Sequence, residues 1–336
     1  MHTATLFIPA LFWPHAGIAH DSPMAPALRT LLGRADYDEA ICEDENAWLC
    51  NQFGVTRQSD WPVAPIAMLG TALAPGDNFC LRADPVHLQV DRDRLILTVP
   101  ETLSISETEA ATLVAALNRH FAADHFSFVA AEPHRWYLKT PRPARIVTRS
   151  LSRVVGSDID RLLPEGDEKL AWHRIFNEVQ MVLHEHQVNQ ERELRGVQPI
   201  NSLWFSGGGI LPHAKTDFDA VIASSALGRG LAKLADIPLA PAEHAAELSA
   251  RHVLIELCDA ETASLRLDPE VWKHAIEAMD ERWFAELVNL LRTGRVRRLV
   301  ICTVAAGRYL RWSISRRHLW RLWRSPASLA GPLRKA

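Results

Sequence analysis

Cysteine is scarce and scattered in this chain. Cys42, Cys50, Cys80, Cys258 and Cys302 form no CxxC pair and no even framework. That argues against a disulfide-stapled scaffold, and the thiols read as buried residues of a reducing compartment. Long apolar runs are missing too. The N-terminal stretch 4–14 is short and holds Pro9 and Pro14, and Met1-His2-Thr3 carries no basic flank. Neither a transmembrane helix nor a signal peptide is expected, so the cytoplasm is the default location. HExxH and CxxH spacings are absent, and Ser224-Ser225 has no GxSxG context. His184 and His186 are two residues apart and point away from each other on a helix, and His173 and His213 show no sequence partner. No acidic residue occurs after Glu286, although twelve Lys and Arg do. An acidic body therefore carries a basic tail.

What is present is ordinary for a globular protein: 336 residues, 23% charged and 48% hydrophobic, enough for a large core in one or two domains. Residues 4–13 read as a buried strand. Pro26 opens a short helix carrying Leu28, Leu31 and Leu32. Residues 36–80, rich in Pro, Gly and Asp, predict short helices and loops. Residues 87–99 read as a hairpin turning at Asp91-Arg92-Asp93. Ser106-x-x-Glu109 is a capping box for a helix with Ala110, Leu113, Val114, Leu117 and Phe121 on one face. Strands near 126–130 and 135–139 follow, then a polar helix over 167–187. The stretch 218–234 reads as helical and 252–258 as a buried strand. A helix from Asp268 to Gly294 carries Trp272, Ile276, Met279, Trp283, Leu287 and Leu290 on its apolar face. A strand at 299–304, another at 309–314 and a short helix at 317–324 close the chain. Alternating strands and helices predict a mixed, largely parallel sheet. The β-β-α-β-β order predicts a smaller α+β unit over 82–165, inserted between core segments 1–81 and 166–336.

The most informative stretch is 184–212. A polar helix passes Gly196 and Pro199, a strand runs from Ile200 to Phe205, and Gly207-Gly208-Gly209 follows. Glycines ending a buried strand allow backbone N–H groups to approach a ligand, or simply make a tight turn. The spacing Asn189-x-x-Arg192-x-x-x-Gly196-x-x-Pro199-x-Asn201-x-x-Trp204 resembles the archaeal-type cofactor-independent phosphoglycerate mutases of the alkaline phosphatase superfamily. Pro133-His134-Arg135 and Lys273-x-x-x-Glu277-x-x-Asp280 resemble further segments of that family. With Leu6-Phe7-Ile8-Pro9-Ala10-Leu11-Phe12-Trp13-Pro14 and Arg135-Trp136-Tyr137-Leu138, the chain also looks like a bacterial group of regulatory proteins of the RpfE type.

The resemblance implies an α/β, alkaline-phosphatase-like core and sharp expectations for the site. The superfamily's enzymes hold two metals through Asp and His, a clamp that neutralises charge in phosphoryl transfer. Here the first strand leads into Leu11-Phe12-Trp13-Pro14. Asp259 matches one ligand, but Ala263 stands where the pattern has His, and Val304-Ala305-Ala306-Gly307-Arg308 replaces Asp-His-Ser-Thr-Pro. No nucleophile can be placed, and Asp259 remains only as a remnant. The resemblance does retain Arg135, Arg192 and Asn201, which with Gly207 and Gly208 imply a cleft for a small phosphorylated or carboxylate ligand, since arginine's fork suits oxyanions. Each has a competing structural reading: an ion pair to Glu191 or Glu193 for Arg192, stacking for Arg135, a turn for Asn201.

The expected function is thus a degenerate, mutase-like protein without metal-dependent catalysis or cofactor, acting by binding or regulation. One alternative is an active phosphomutase or phosphatase with displaced ligands such as Asp259, Glu261 and His213. The other is a nucleic-acid or membrane adaptor working through the basic, aromatic tail. Against that adaptor stands the expectation that Trp312, Trp320 and Trp323 pack on the core while the tail arginines face solvent or the acidic body.

Overall fold

A computed structural model describes residues 3–15, 21–91, 94–241 and 250–330. The chain divides into two compact units, Met1–Gly54 with Ala214–Ala336, and Val55–His213. The second unit reaches further on both sides than the 82–165 expected from sequence.

The first unit is built on a six-stranded sheet in the order β2-β11-β10-β1-β9-β8. Its centre is β1 (Thr3–Phe7), which pairs in parallel with both β9 (His252–Glu256) and β10 (Arg298–Ala305). β8 (Ala220–Ile222) extends the parallel part, while β11 (Arg308–Ser315) and β2 (Asp36–Ile41) are antiparallel. A parallel sheet covered on both faces needs nearly continuous apolar strands, and β1 fits that requirement. Ala4 and Leu6 face a core that includes Trp272, Ile276 and Leu291, whereas Phe7 stacks on Trp48 at 4.1 Å, and Trp48 lies 5.7 Å from Tyr309. Trp48 belongs to α2 (Glu45–Gln52).

Two expectations need correction here. Asp36–Ile41 is a strand, not a loop: its acidic residues sit on the sheet edge beside basic β11, and Glu39 pairs with Arg308 at 2.8 Å. A charged edge strand has little apolar alternation to reveal it and forms because its neighbour is complementary. Residues 220–222 are likewise a strand, preceding α8 (Ala226–Leu234), because three residues beside a helix are too few to show a period.

The long helix expected from Asp268 to Gly294 forms with a fault. α10 (Pro269–Met279) is capped by Asp268, and α11 (Ala285–Thr293) ends at Gly294 with φ +77°, but a π-helical turn, Asp280–Phe284, interrupts them. The extra residue shifts the helical phase, so Asp280, Trp283 and Phe284 all turn inward. Asp280 then accepts from the backbone N–H groups of Leu28 (2.6 Å) and Ala27 (3.2 Å). These belong to α1 (Pro26–Arg34), whose own N-cap residue, Ala25, has no capping side chain. The carboxylate of one helix thus satisfies orphan donors of another.

The second unit holds an antiparallel sheet of order β4-β3-β6-β5, with β7 also paired to β3. Its strands are β3 (Phe79–Asp91), β4 (Arg94–Thr98), β5 (Ser127–Glu132), β6 (Arg135–Thr140) and β7 (Ser202–Gly209). The hairpin of β3 and β4 is as expected, with its turn residues Arg92 and Asp93 outside the described residues. One sheet face is apolar: Trp172 of α6 (Lys169–His184) meets Phe205 edge-on, and Phe121, beside α4 (Glu107–His120), packs on Phe128. The capping box of Ser106 and Glu109 is present.

Replacing Asp280 by Ala leaves the Leu28 and Ala27 donors without their partner and is expected to lower unfolding stability by about 1–2 kcal/mol in a urea titration. Asp280→Asn, which keeps an acceptor, should lose clearly less. Equal losses would assign the effect to packing and not to capping.

Candidate functional site

The motif that carries the family resemblance folds into a clamp on β7. α7 (Gln187–Leu194) begins at His186, whose ring accepts from Val188 N–H. From this helix Asn189 reaches over the following loop: its amide donates to Leu183 O and Ile200 O and accepts from Ile200 N–H at 2.7 Å. Arg192, 1% exposed, donates to Gln198 O (2.9 Å), to Glu109 Oε2 (3.0 Å) and to Leu103 O. Asn201 accepts from Leu88 N–H and donates to Leu88 O, a side-chain copy of a strand pairing that prolongs the ladder of β7 on β3. All of these donors are spent inside the unit.

Arg192 and Asn201, expected as ligand contacts, therefore work structurally in this geometry. Arg192 does not bridge to Glu191 or Glu193 on its own helix. Its carboxylate partner comes from the capping box of α4, where Arg195 also reaches Glu109 at 2.6 Å. Burial opposes the charge of Glu109, but the Ser106 N–H and hydroxyl and both guanidinium groups outweigh it and hold the carboxyl down to about 2.

The glycines read differently as well. They form the end of β7 itself and not a loop beyond it. Between Ser206 and Gly209 the strand has two residues where β3 has one, a bulge in which Gly207 adopts φ +64°. A Cβ on Gly207 would stand 2.7 Å from Val63, and one on Gly208 2.9 Å from Leu81 and Phe79. The Gly207 N–H donates to Thr148 Oγ1, and Thr148 is held in turn by Asp60. Close packing and the bulge account for both glycines without a ligand.

Arg135 keeps a partly open side chain, 21% exposed, paired with Glu132 at 3.0 Å. Strand alternation sets it on the same face as Tyr137, whose register partner is Arg82. Arg82 binds Asp84 at 2.8 Å. Asp84 and Ser202 are fully buried, and among the described residues Asp84 Oδ2 and Ser202 Oγ have no hydrogen-bond partner. Burial works against the Arg82 charge, yet the Asp84 carboxylate outweighs it and raises its pKa; burial also pushes the Tyr137 phenol up. A polar sheet face of Arg82, Asp84, Arg135, Tyr137 and Ser202 thus backs the apolar one. Its signal in the sequence is the alternation Arg82-x-Asp84 and Arg135-x-Tyr137 inside strands.

In the first unit, the carboxyl ends of the parallel strands are where α/β sheets present ligands. Beyond β1, Leu11 and Phe12 are buried, Trp13 lies edge-on to Trp272 at 5.6 Å, and the Trp272 indole donates to Ala10 O. Beyond β9, Ala263 is buried in α9 (Asp259–Leu265), and Asp259 lines an open groove of about 510 Å³ with Arg266, His274 and Arg282. Beyond β10, a turn of Ala306 and Gly307 leads straight into β11. Among the described residues no three His, Cys, Asp or Glu side chains gather in a way that could hold a metal, so Asp259, Glu261 and His213 form no such group. The buried carboxylate at this edge is Glu256, which accepts from Ser225 Oγ at 2.7 Å and Ser225 N–H at 3.1 Å, with Ser225 capping α8. Burial raises its pKa, and Ser225 pulls it only part of the way back.

Residues 67–189 match the model of the 2,3-bisphosphoglycerate-independent phosphoglycerate mutase family. Among solved structures the chain is similar to the PH0037 protein from Pyrococcus horikoshii, at 12% identity over 94% of this chain and 87% of that one, with a TM-score of 0.54. It is also similar to a cofactor-independent phosphoglycerate mutase from Thermoplasma acidophilum DSM 1728, at 15% identity over 94% and 90% of the chains, with a TM-score of 0.43. At such identity the first likeness shows a shared fold, the mixed α/β architecture described above. No curated protein matches the chain. Among the described residues, no helix is long and apolar enough to cross a membrane.

Two outcomes test these assignments. Arg192→Lys keeps the charge but not the fork that serves Gln198, Glu109 and Leu103, and is expected to cost about 3 kcal/mol of stability by denaturant titration. A loss of only a few tenths would free Arg192 for another role. Glu256 has a folded pKa above its ordinary 4.5, so its contribution to stability is full below that value and is lost as pH rises through the folded pKa. The melting temperature of Glu256→Gln should therefore gain on the wild type as pH climbs from 4.5 toward neutrality, and a pH-independent difference would mean that the group titrates normally.

Proposed function

We propose that this protein is a phosphoglycerate-mutase-like protein that has lost metal-dependent catalysis and acts by binding a small anionic ligand, in a regulatory role. One observation carries the reading. The positions at which the resemblance implies metal ligands lie just beyond adjacent strands β1, β9 and β10. Asp259 alone keeps a ligand atom there; Leu11, Phe12, Ala263 and the Ala306-Gly307 turn offer no side-chain donor atom. Phosphoryl transfer by a two-metal clamp needs several oxygen or nitrogen ligands converging on each ion. Here Trp13 and Trp272 occupy the same edge and favour apolar packing.

Arg135 is the proposed ligand contact, with Arg82 on the same sheet face as a second cation. Each guanidinium is already matched by one carboxylate, Glu132 and Asp84 respectively. A phosphate or carboxylate would bind by sharing or displacing those partners, which sets a modest affinity and lets the ligand alter the sheet's internal ion pairs. Asn189, Arg192 and Asn201 position β7 beside β3 and support that face indirectly.

Two measurements on tag-free protein test this reading. After loading with Mn²⁺ and desalting, the chain should retain well under one ion and should not interconvert 2- and 3-phosphoglycerate; turnover would overturn the loss of catalysis. In a calorimetric titration, 3-phosphoglycerate or inorganic phosphate should bind, and Arg135→Gln should weaken that binding about tenfold. No heat with either anion, or binding indifferent to Arg135, would overturn the anion site.

A further inference from the structure

Tryptophan near a chain end is expected to pack, and Trp312 does, at 0% exposure. Trp320, Leu322 and Trp323 do the opposite and are 71%, 69% and 79% exposed, which corrects the expectation that all three tail tryptophans join the core. The expected helix at 317–324 is also reduced to a 3₁₀ turn, Arg316–Trp320.

This segment is not a fraying end. On its N-terminal side His318 is buried and accepts from Ser315 N–H at 2.8 Å, while Arg34 donates to Leu319 O at 2.7 Å. On its C-terminal side Ala327 and Leu329 enter the core, and Ala327 exchanges two 2.9 Å hydrogen bonds with Arg29. In between, Arg321 holds Asp36 at 2.6 Å, and Arg324 donates to Ala35 O at 2.6 Å. Gly33 lets the segment lie close to α1, since a Cβ there would stand 2.2 Å from Ser325 O. The result is a strap fixed at both ends that offers two indoles and a leucine to solvent.

Single exposed apolar residues need no explanation, but three within four residues, rimmed by cations, form a patch of the kind that marks an interaction site. Arg316 and Arg317 are exposed and make no ion pair among the described residues, and no acidic residue follows Glu286 in the sequence. Indole and leucine side chains flanked by guanidinium groups suit the headgroup region of an anionic bilayer: the rings sit at the interface, and the arginines meet lipid phosphates. A single-stranded nucleic acid would use the cations and the indoles, but Leu322 has no ring face for a base to stack on.

We propose that the strap at Trp320–Arg324 docks this protein onto anionic lipid surfaces. It acts as a surface anchor with two components, shallow insertion of Trp320, Leu322 and Trp323 and salt-sensitive attraction through Arg316 and Arg317. The basic tail is then divided in use: Arg308 and Arg321 pair with acidic β2, and Arg316 and Arg317 face outward.

Cosedimentation of the full chain with vesicles tests the proposal. Binding is expected to equimolar phosphatidylcholine and phosphatidylglycerol, and not to phosphatidylcholine alone. The double substitution Trp320→Ala with Trp323→Ala should weaken it about tenfold or more. Arg316→Gln with Arg317→Gln should weaken it to a similar degree and flatten its salt dependence. Because these side chains are exposed, each variant should keep the wild-type melting temperature, which separates lost docking from lost folding. Absence of binding to the anionic vesicles, or variants that bind like the wild type, would overturn the anchor. Tighter binding of a thymidine oligonucleotide at the same salt, lost in the same variants, would overturn the lipid assignment in favour of single-stranded nucleic acid.

Discussion

Five residues at the N-terminus bear the largest structural burden in the first unit. β1 is hydrogen-bonded on one side to β9 and on the other to β10, partners almost 250 and 300 residues away in sequence. The unit is discontinuous, leaving at Gly54 and resuming at Ala214, and this strand joins its two segments across the middle of the sheet. A central parallel strand leaves little room for polar surface: Ala4, Leu6 and Phe7 are fully buried, the buried Thr5 hydroxyl is bonded to the His252 ring, and both faces are paved with aromatic rings. Pairing over such separations carries a loop-closure cost that only extensive burial offsets.

That paving bears on function. Beyond β1, β9 and β10 lie Phe12, Trp13, Asp259, Ala263 and a tight turn, and Trp272 closes over Ala10. An apolar edge stabilises the sheet where a catalytic edge would burden it with clustered like charges. Glu256 is the exception, a buried carboxylate kept in place by Ser225, and its raised pKa is the cost of leaving an acid in that position.

The second unit shows how a motif can be specific in spacing and still structural. Asn189, Arg192 and Asn201 serve backbone groups of the loop before β7 and of β3, and Arg192 ties α7 to the capping box of α4 through Glu109. A fork with five donors satisfies three separate acceptors at once, which explains why arginine stands there. The polar face of the same sheet pairs half-buried Arg82 with fully buried Asp84 and leaves Arg135 partly open.

Much was legible in the sequence alone. The apolar face from Trp272 to Leu290, the Ser106 capping box, the Asp268 cap and the Gly294 stop are local patterns whose physics operates within a turn or two, and each is found where its spacing placed it. The mixed, largely parallel sheet followed from element order. Only tertiary structure could decide the rest. β2 is a strand because a basic neighbour pairs with it, and Gly207 is glycine because Val63 leaves no room. Arg192 is structural because Glu109, 83 positions earlier, meets it in space. Trp320 and Trp323 stay exposed because Ala327 and Leu329 anchor the strap around them. Residue type and spacing determine what a side chain is able to do, but its partner is chosen by contacts between positions far apart in the chain, and no local pattern encodes that choice.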